Sequence, residues 1–216
     1  SSYIEAESEI VPMTFFSSSV QTGAPERIPD KIFSGKFNAD SDHWHSQSDG
    51  SDLSNSNFEY IGFTFGDNLR YRLIEYSLMA RSTSVGSNTF EPDSWKFQGT
   101  NSGDTSSDSV WTTLDTQSSY TGFSNKPVDG NYDTLDGSDD PNYNKFQRFN
   151  ISNNNYYCSY RLRITKNIHS TNKEWVTLGQ FEMKGFRAME AEQSIVNRNY
   201  LSNPIGQLIE GYGSDA

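Results

Sequence analysis

The sequence has little cysteine, a deficit of positive charge and no long apolar run. Cys158 is the only cysteine among 216 residues, so no disulfide can form within the chain. The 17 Lys and Arg residues against 28 Asp and Glu give a formal net charge of −11, which argues against the basic surface that nucleic-acid binding needs. The same charge disfavours docking on anionic lipid. No stretch approaches the roughly 18 apolar residues of a membrane-spanning helix, so we expect no membrane insertion. From the net charge we expect no nucleic-acid partner.

The residues that are present favour an all-β protein. Hydrophobic residues make up only 33% of the chain while aromatic residues reach 14%, a composition that suits large rings packed between two sheets. Short segments of alternating apolar and polar residues are separated by turns rich in Gly, Asn, Asp and Ser, which predicts antiparallel strands. The clearest pair is 95–99 with 111–114, joined by a polar turn. Residues 58–65 and 69–80 form a second predicted pair across a tight connection.

Several motifs, taken in chain order, carry a resemblance to a known family. They are DHWHS at 42–46, YIGFTFG at 60–66, GTNSG at 99–103 followed by WTTLD at 111–115, YCSYRLRIT at 157–165 and VTLGQFEMKG at 176–185. This series resembles the discoidin or coagulation factor type C domain and the galactose-binding-like carbohydrate-binding modules. The resemblance implies a jelly-roll β-sandwich of about eight antiparallel strands over residues 13–186. Residues 1–12 and 187–216 are then predicted to be an N-terminal arm and a C-terminal tail or linker.

The resemblance also implies a function, which is non-catalytic, lectin-like binding of cell-surface or polysaccharide glycans. An arginine near the end of a strand donates paired hydrogen bonds to adjacent sugar hydroxyls in such modules, and aromatic rings stack on the sugar. The predicted glycan-binding residues are His45, Arg81, Asn88, Phe90, Tyr120, Phe123 and Tyr132. Structural alternatives stay open at this point: Arg81 can form a surface ion pair, and His45 can hydrogen-bond locally. The rings can cover the sandwich edge or contact a neighbouring subunit.

The metal-ligating residues that the resemblance implies are changed in this sequence. Where the family has an Asp and a Glu that help to hold calcium, this chain has Ser34 and Gln180, although Asp40 could partly compensate. Because Ca²⁺ prefers carboxylate oxygens, the sequence predicts weak or absent calcium binding and no cofactor. His43 and His45 point the same way on a predicted strand, but zinc needs three or four ligands, and no third His or Cys lies near them in the sequence.

Catalysis by this chain is not expected. The sequence has no Ser-His-Asp series with an elbow motif, no phosphate-binding glycine loop and no metal cage. We interpret Cys158 as a buried and inert thiol, because it lies in an apolar-rich strand segment.

A second hypothesis is structural: the sandwich serves as a capsid-decorating, tail or fibre component of a virion. The arms 1–12 and 187–216 then contact other copies of the chain or a neighbouring structural protein. Both hypotheses predict an extracellular or virion-surface location.

Overall fold

The fold is all-β, as the alternation of the sequence predicts. A computed structural model describes residues 12–23, 27–33, 36–37, 43–66, 69–81, 90–124, 130–131 and 146–188. Within these ranges the strands are β1 (Met13–Ser17), β2 (Lys36–Phe37), β3 (Trp44–His45), β4 (Glu59–Phe65), β5 (Tyr71–Met79), β6 (Pro92–Thr100), β7 (Thr112–Gln117), β8 (Gly130–Asn131), β9 (Gln147–Asn150), β10 (Ser159–Asn167), β11 (Thr177–Leu178) and β12 (Gln180–Arg187). Three short 3-10 helices lie at Pro29–Phe33, Asp108–Val110 and Gly122–Ser124. No helix in the described part of the chain is long and apolar enough to cross a membrane.

Eight of these strands form two antiparallel sheets, which matches the predicted number. The larger sheet has the order β1-β4-β10-β6-β7, and the smaller one has the order β12-β5-β9. The short strands β3 and β11 pair with each other, as do β2 and β8. The sandwich runs from Met13 to Arg187, but the predicted arms 1–12 and 187–216 lie almost wholly outside the described residues, so that division stays a prediction.

Aromatic rings fill the space between the two sheets. Tyr76 of the smaller sheet stacks on Phe97 of the larger one with ring centroids 4.5 Å apart, and Phe63 meets Phe181 at 6.0 Å. All four rings are buried. The Tyr76 hydroxyl accepts a hydrogen bond from Trp95 Nε1 at 2.9 Å and donates one to Asp115 Oδ2 at 2.6 Å, so this buried polar group is satisfied.

One predicted strand pair is wrong. Residues 58–65 and 69–80 do contain strands, β4 and β5, but these lie in different sheets. Strand β4 pairs instead with β1 and β10. Alternation shows that a segment is a strand with a buried face, but it does not identify the strand beside it. The pair formed by β6 and β7 is confirmed.

The outer face of the larger sheet carries a second, smaller cluster around two arginines. Arg161 and Arg163 on β10 face away from the main core, yet both are buried. The Arg161 guanidinium lies 4.4 Å from the Trp111 ring centroid, and that of Arg163 lies 3.7 Å from the Phe58 centroid. Asp108 forms ion pairs with both arginines. The cluster therefore covers this face with stacked cations and rings.

Candidate functional site

Three of the predicted binding residues meet at one end of the sandwich. His45 lies on β3, which pairs with β11. Phe90 precedes β6, and its carbonyl accepts a hydrogen bond from the amide of Thr177 on β11 at 2.9 Å. Arg81 follows the end of β5 and is close enough for its charge to lower the pKa of His45. We call the group His43, His45, Arg81, Phe90, His169 and Trp175 the rim cluster.

The aromatic side chains of the rim cluster form a stack with one ring beside it. Phe90 lies between His45 and His169, with centroid distances of 6.1 Å and 4.9 Å and interplanar angles of 26° and 21°. Trp175 meets His45 edge-on at 5.5 Å and is tilted against Phe90 at 5.4 Å. Since imidazoles stack on Phe90 and the ring is 3% exposed, Phe90 offers little area to a ligand. Trp175 is half-buried and therefore more accessible.

The loop that holds His169 and Trp175 is organised by its own hydrogen bonds. The side-chain amide of Asn167 donates to the carbonyls of Asn172 and Trp175 at 3.0 Å and 2.6 Å. His169 Nδ1 accepts the backbone amide of Asn172 at 2.9 Å. An imidazole nitrogen that accepts a hydrogen bond carries no proton, which leaves the other nitrogen, Nε2, of His169 as a donor when the ring is neutral.

His43 and His45 are held in the neutral form. Burial lowers the pKa of His43 to about 3, with further contributions from the charges of Arg81, Arg27 and His45. Burial also lowers the pKa of His45 to about 4, assisted by Arg27 and Arg81. A buried imidazole beside two cations cannot readily accept a third positive charge. Both rings therefore act at neutral pH as uncharged groups with one donor and one acceptor each.

Five buried nitrogen atoms of the rim cluster have no hydrogen-bond partner within the part of the chain that the structure describes. They are Nδ1 and Nε2 of His43, Nδ1 and Nε2 of His45, and Nε1 of Trp175. Each unsatisfied buried polar atom costs about 1–3 kcal/mol, and native proteins contain few of them. These five atoms lie together at one end of the fold.

The described residues do not form a metal centre. His43 and His45 have ring centroids 6.2 Å apart, but no group of three or more His, Cys, Asp or Glu side chains there is arranged to hold a metal ion. Gln180, where the family resemblance implies a Glu ligand, donates its side-chain amide to the Lys31 carbonyl at 3.3 Å. The other two calcium candidates, Ser34 and Asp40, lie outside the described residues.

Two further predicted residues, Phe123 and Tyr120, pack away from the rim cluster. Phe123 is only 1% exposed, and it packs against Trp95 and Tyr120 with centroid distances of 6.1 Å and 5.2 Å. Tyr120 is half-buried and donates its hydroxyl to Gln147 Oε1 at 2.7 Å. Their contacts match the alternative in which rings cover the sandwich edge, and Phe123 is too buried to offer a stacking surface. Asn88 and Tyr132 lie outside the described residues.

Sequence reasoning missed His169 and Trp175 as members of this site. Both stand in a polar loop between two strands, about 80 residues after Phe90 in the chain. A signal was present, since Trp175 directly precedes the VTLGQFEMKG motif that carries part of the resemblance. The pairing of β11 with β3, distant in the chain, brings that loop to His45.

Comparison with known proteins establishes the fold. No protein-family model matches the chain, and no curated protein sequence matches it significantly. Among solved structures, it is similar to a family 32 carbohydrate-binding module from a family 31 glycoside hydrolase of Clostridium perfringens. The identity is 15%, the match covers 85% of this chain and 100% of that one, and the TM-score is 0.52.

Two further structures support the same conclusion. A SusE-like protein matches at 17% identity over 82% of this chain and 65% of its own, with a TM-score of 0.57. The C-terminal domain of a chitobiase from Bacteroides fragilis matches at 13% identity over 82% of this chain and 95% of its own, with a TM-score of 0.50. The predicted galactose-binding-like, discoidin-type sandwich is thus confirmed as the fold.

Proposed function

We propose that this galactose-binding-like sandwich is a non-catalytic module that binds a glycan at the rim cluster. The observation that carries the proposal is the set of five buried nitrogen atoms on His43, His45 and Trp175 that have no hydrogen-bond partner among the described residues. Sugar hydroxyls both donate and accept hydrogen bonds, so they complement neutral imidazoles, which also do both. A site at one end of a sandwich, formed by loops on a rigid scaffold, is a common position for recognition.

Arg81 and Trp175 complete the chemistry of this proposed site. The guanidinium of Arg81 has a planar fork of donors that suits two adjacent hydroxyl groups. The half-buried ring of Trp175 offers an apolar face for the C–H side of a sugar, and its unpartnered Nε1 offers one donor. The predicted stacking role therefore moves from Phe90, whose ring is covered by imidazoles, to Trp175.

The same geometry favours binding over catalysis. A general base works best when its pKa lies near the operating pH, whereas the pKa values of His43 and His45 lie near 3 and 4. Such rings remain neutral at pH 7 and are weak proton acceptors. They suit a role in which hydrogen bonds position a ligand and no proton is transferred.

The fold is consistent with this proposal. The similar structure from Clostridium perfringens is a carbohydrate-binding module by its title, and fold alone does not determine function. The comparisons give no support to the virion component that the sequence left as an alternative. We further propose an extracellular setting, where such glycans occur, with residues 1–12 and 187–216 as candidate contacts to other copies or neighbouring proteins.

The decisive experiment is a glycan array probed with the chain displayed multivalently, because single shallow sites bind weakly and gain from multivalency. A selected glycan is then titrated calorimetrically against His45→Ala, Arg81→Ala and Trp175→Ala. Loss of hydrogen bonds or of the stacking face should weaken binding roughly tenfold or more in each variant. Arg148→Ala, which removes an exposed arginine from β9, is the matched control and should bind normally. An array without signal from folded protein would refute the proposed function.

A further inference from the structure

A cleft opens at the end of the sandwich opposite the rim cluster. It has a volume of about 220 Å³ and is lined by residues that include Thr64, Arg70, Asn101, Gly103, Thr105 and Cys158. These residues stand where β4 and β6 end and where β5 and β10 begin. The rim cluster stands at the other end of the same strands. Because β10 has nine residues and a strand rises about 3.3 Å per residue, the two ends are roughly 25 Å apart.

The wall of this cleft is held rigidly by groups that are already paired. The Asn101 side chain donates to the Tyr156 carbonyl at 2.9 Å and accepts the Cys158 amide at 3.0 Å. The hydroxyl groups of Thr64 and Ser159 share a hydrogen bond of 2.9 Å. The cleft is therefore a preformed feature of the strand ends, as ligand sites usually are.

Hydrogen-bond donors in the cleft remain available. Arg70 is exposed, and its guanidinium forms no hydrogen bond or ion pair within the described part of the chain. The Gly103 amide and the Thr105 hydroxyl are likewise without a hydrogen bond to any described residue. The nearby carboxylate of Asp104 is engaged within its own turn, where it accepts the Ser106 amide at 3.0 Å and the Ser106 hydroxyl at 2.5 Å.

We propose that this cleft binds the oxyanion of an acidic sugar, either a uronate carboxylate or a sulfate ester, with Arg70 as the principal contact. A guanidinium and an amide that have no acceptor among the described residues complement a group that only accepts hydrogen bonds. The volume is below the roughly 300–1,000 Å³ typical of drug-sized ligands, which limits the occupant to one small unit. A charged guanidinium also provides a local positive potential on a chain whose net charge is −11.

A protein with a binding site at each end of the sandwich would contact two units of one polysaccharide, or two separate polysaccharide molecules. Either arrangement raises the apparent affinity without any new contact at the rim cluster. The two sites share no residue, so each can be tested while the other is disabled.

Cys158 provides a reporter, because it is the only thiol and it lines this cleft half-buried. The rate of its alkylation by iodoacetamide is measured with glucuronate, glucose 6-sulfate or glucose present. We expect saturating amounts of at least one acidic sugar to slow alkylation, with glucose having no effect. Arg70→Ala should raise the concentration of acidic sugar needed for half-maximal protection roughly tenfold or more, since hydrogen bonds to a charged group contribute that much to binding. Arg81→Ala at the rim cluster should leave the protection unchanged.

The proposal is overturned if neither acidic sugar protects, or if glucose protects equally. Protection by inorganic sulfate without protection by either sugar would indicate an adventitious ion only and would also overturn it. If the thiol reacts too slowly to report, the amide resonance of Gly103 is followed by NMR during the same titrations. A shift that depends on Arg70 then supports the site, and an unchanged resonance refutes it.

Discussion

The neutral, buried histidine pair predicts that the protein loses stability in mild acid. In the folded state the pKa of His43 is about 3 and that of His45 about 4, against an ordinary value of 6.5. Between these values the unfolded chain binds protons that the folded chain cannot, so the free energy of unfolding rises with pH. The contribution is fully present above pH 6.5 and is lost as the pH falls from 6.5 toward 4.

The size of the effect follows from the pKa differences. One pH unit of differential protonation is worth about 1.4 kcal/mol per group. At pH 5 each unfolded histidine is almost fully protonated and each folded one is not, which costs about 2 kcal/mol per residue. Both together lower the free energy of unfolding by about 4 kcal/mol, a large part of the roughly 5–15 kcal/mol that stabilises a domain. For a chain of this size we expect the midpoint of thermal unfolding to drop by roughly 10 °C.

Urea unfolding monitored by tryptophan fluorescence at pH 7, 6 and 5 measures this loss. The double variant His43→Gln and His45→Gln replaces both rings with amides that are polar but do not titrate in this range. It should retain far less dependence on pH, and each single variant should remove about half of the loss. If the double variant loses stability between pH 7 and 5 as steeply as the natural sequence, the histidines are not the cause and the reasoning is refuted.

Three further outcomes are expected. Arg161→Lys should lower the free energy of unfolding by about 2 kcal/mol in urea titrations, because an ammonium group lacks the planar contact with Trp111, and wild-type stability would contradict this. Gly62→Ala should lower the midpoint of thermal unfolding, since the added Cβ would lie 2.3 Å from the Tyr160 carbonyl oxygen. Chelation with EDTA should leave the thermal midpoint unchanged, because the Gln180 amide makes a hydrogen bond in place of a carboxylate ligand; a drop would show a bound cation.

The fold could be predicted well from the sequence because each strand of a sandwich shows its own alternation of apolar and polar residues. The alternation of apolar and polar residues identified most of the long strands, and eight of the observed strands form the two main sheets. Pairing was harder to predict, as β4 and β5 show. They are neighbours in the chain and lie in different sheets, because pairing depends on strands about 100 residues away, such as β10.

The candidate site could be predicted only in part. His45, Arg81 and Phe90 belong to motifs or strand ends, and the structure brings them together. Tyr120 and Phe123 stand in a segment without strand-like alternation. In such a segment the sequence does not indicate whether an aromatic ring is buried or exposed.

The interpretation of Cys158 as a buried thiol was also wrong, because the strand begins one residue later, at Ser159. At the strand end the side chain lines the cleft and is half-buried.

The central position of β10 has a consequence for how the protein folds. This strand lies between β4 and β6, yet it follows β4 by about 100 residues and β6 by about 60 in the chain. The larger sheet therefore cannot close until residues near 167 have left the ribosome, and earlier strands wait with unpaired edges. Long-range strand pairing of this kind is slow, and exposed edges promote aggregation. Truncations that end before β10 should consequently fail to yield folded protein, however complete their N-terminal strands are.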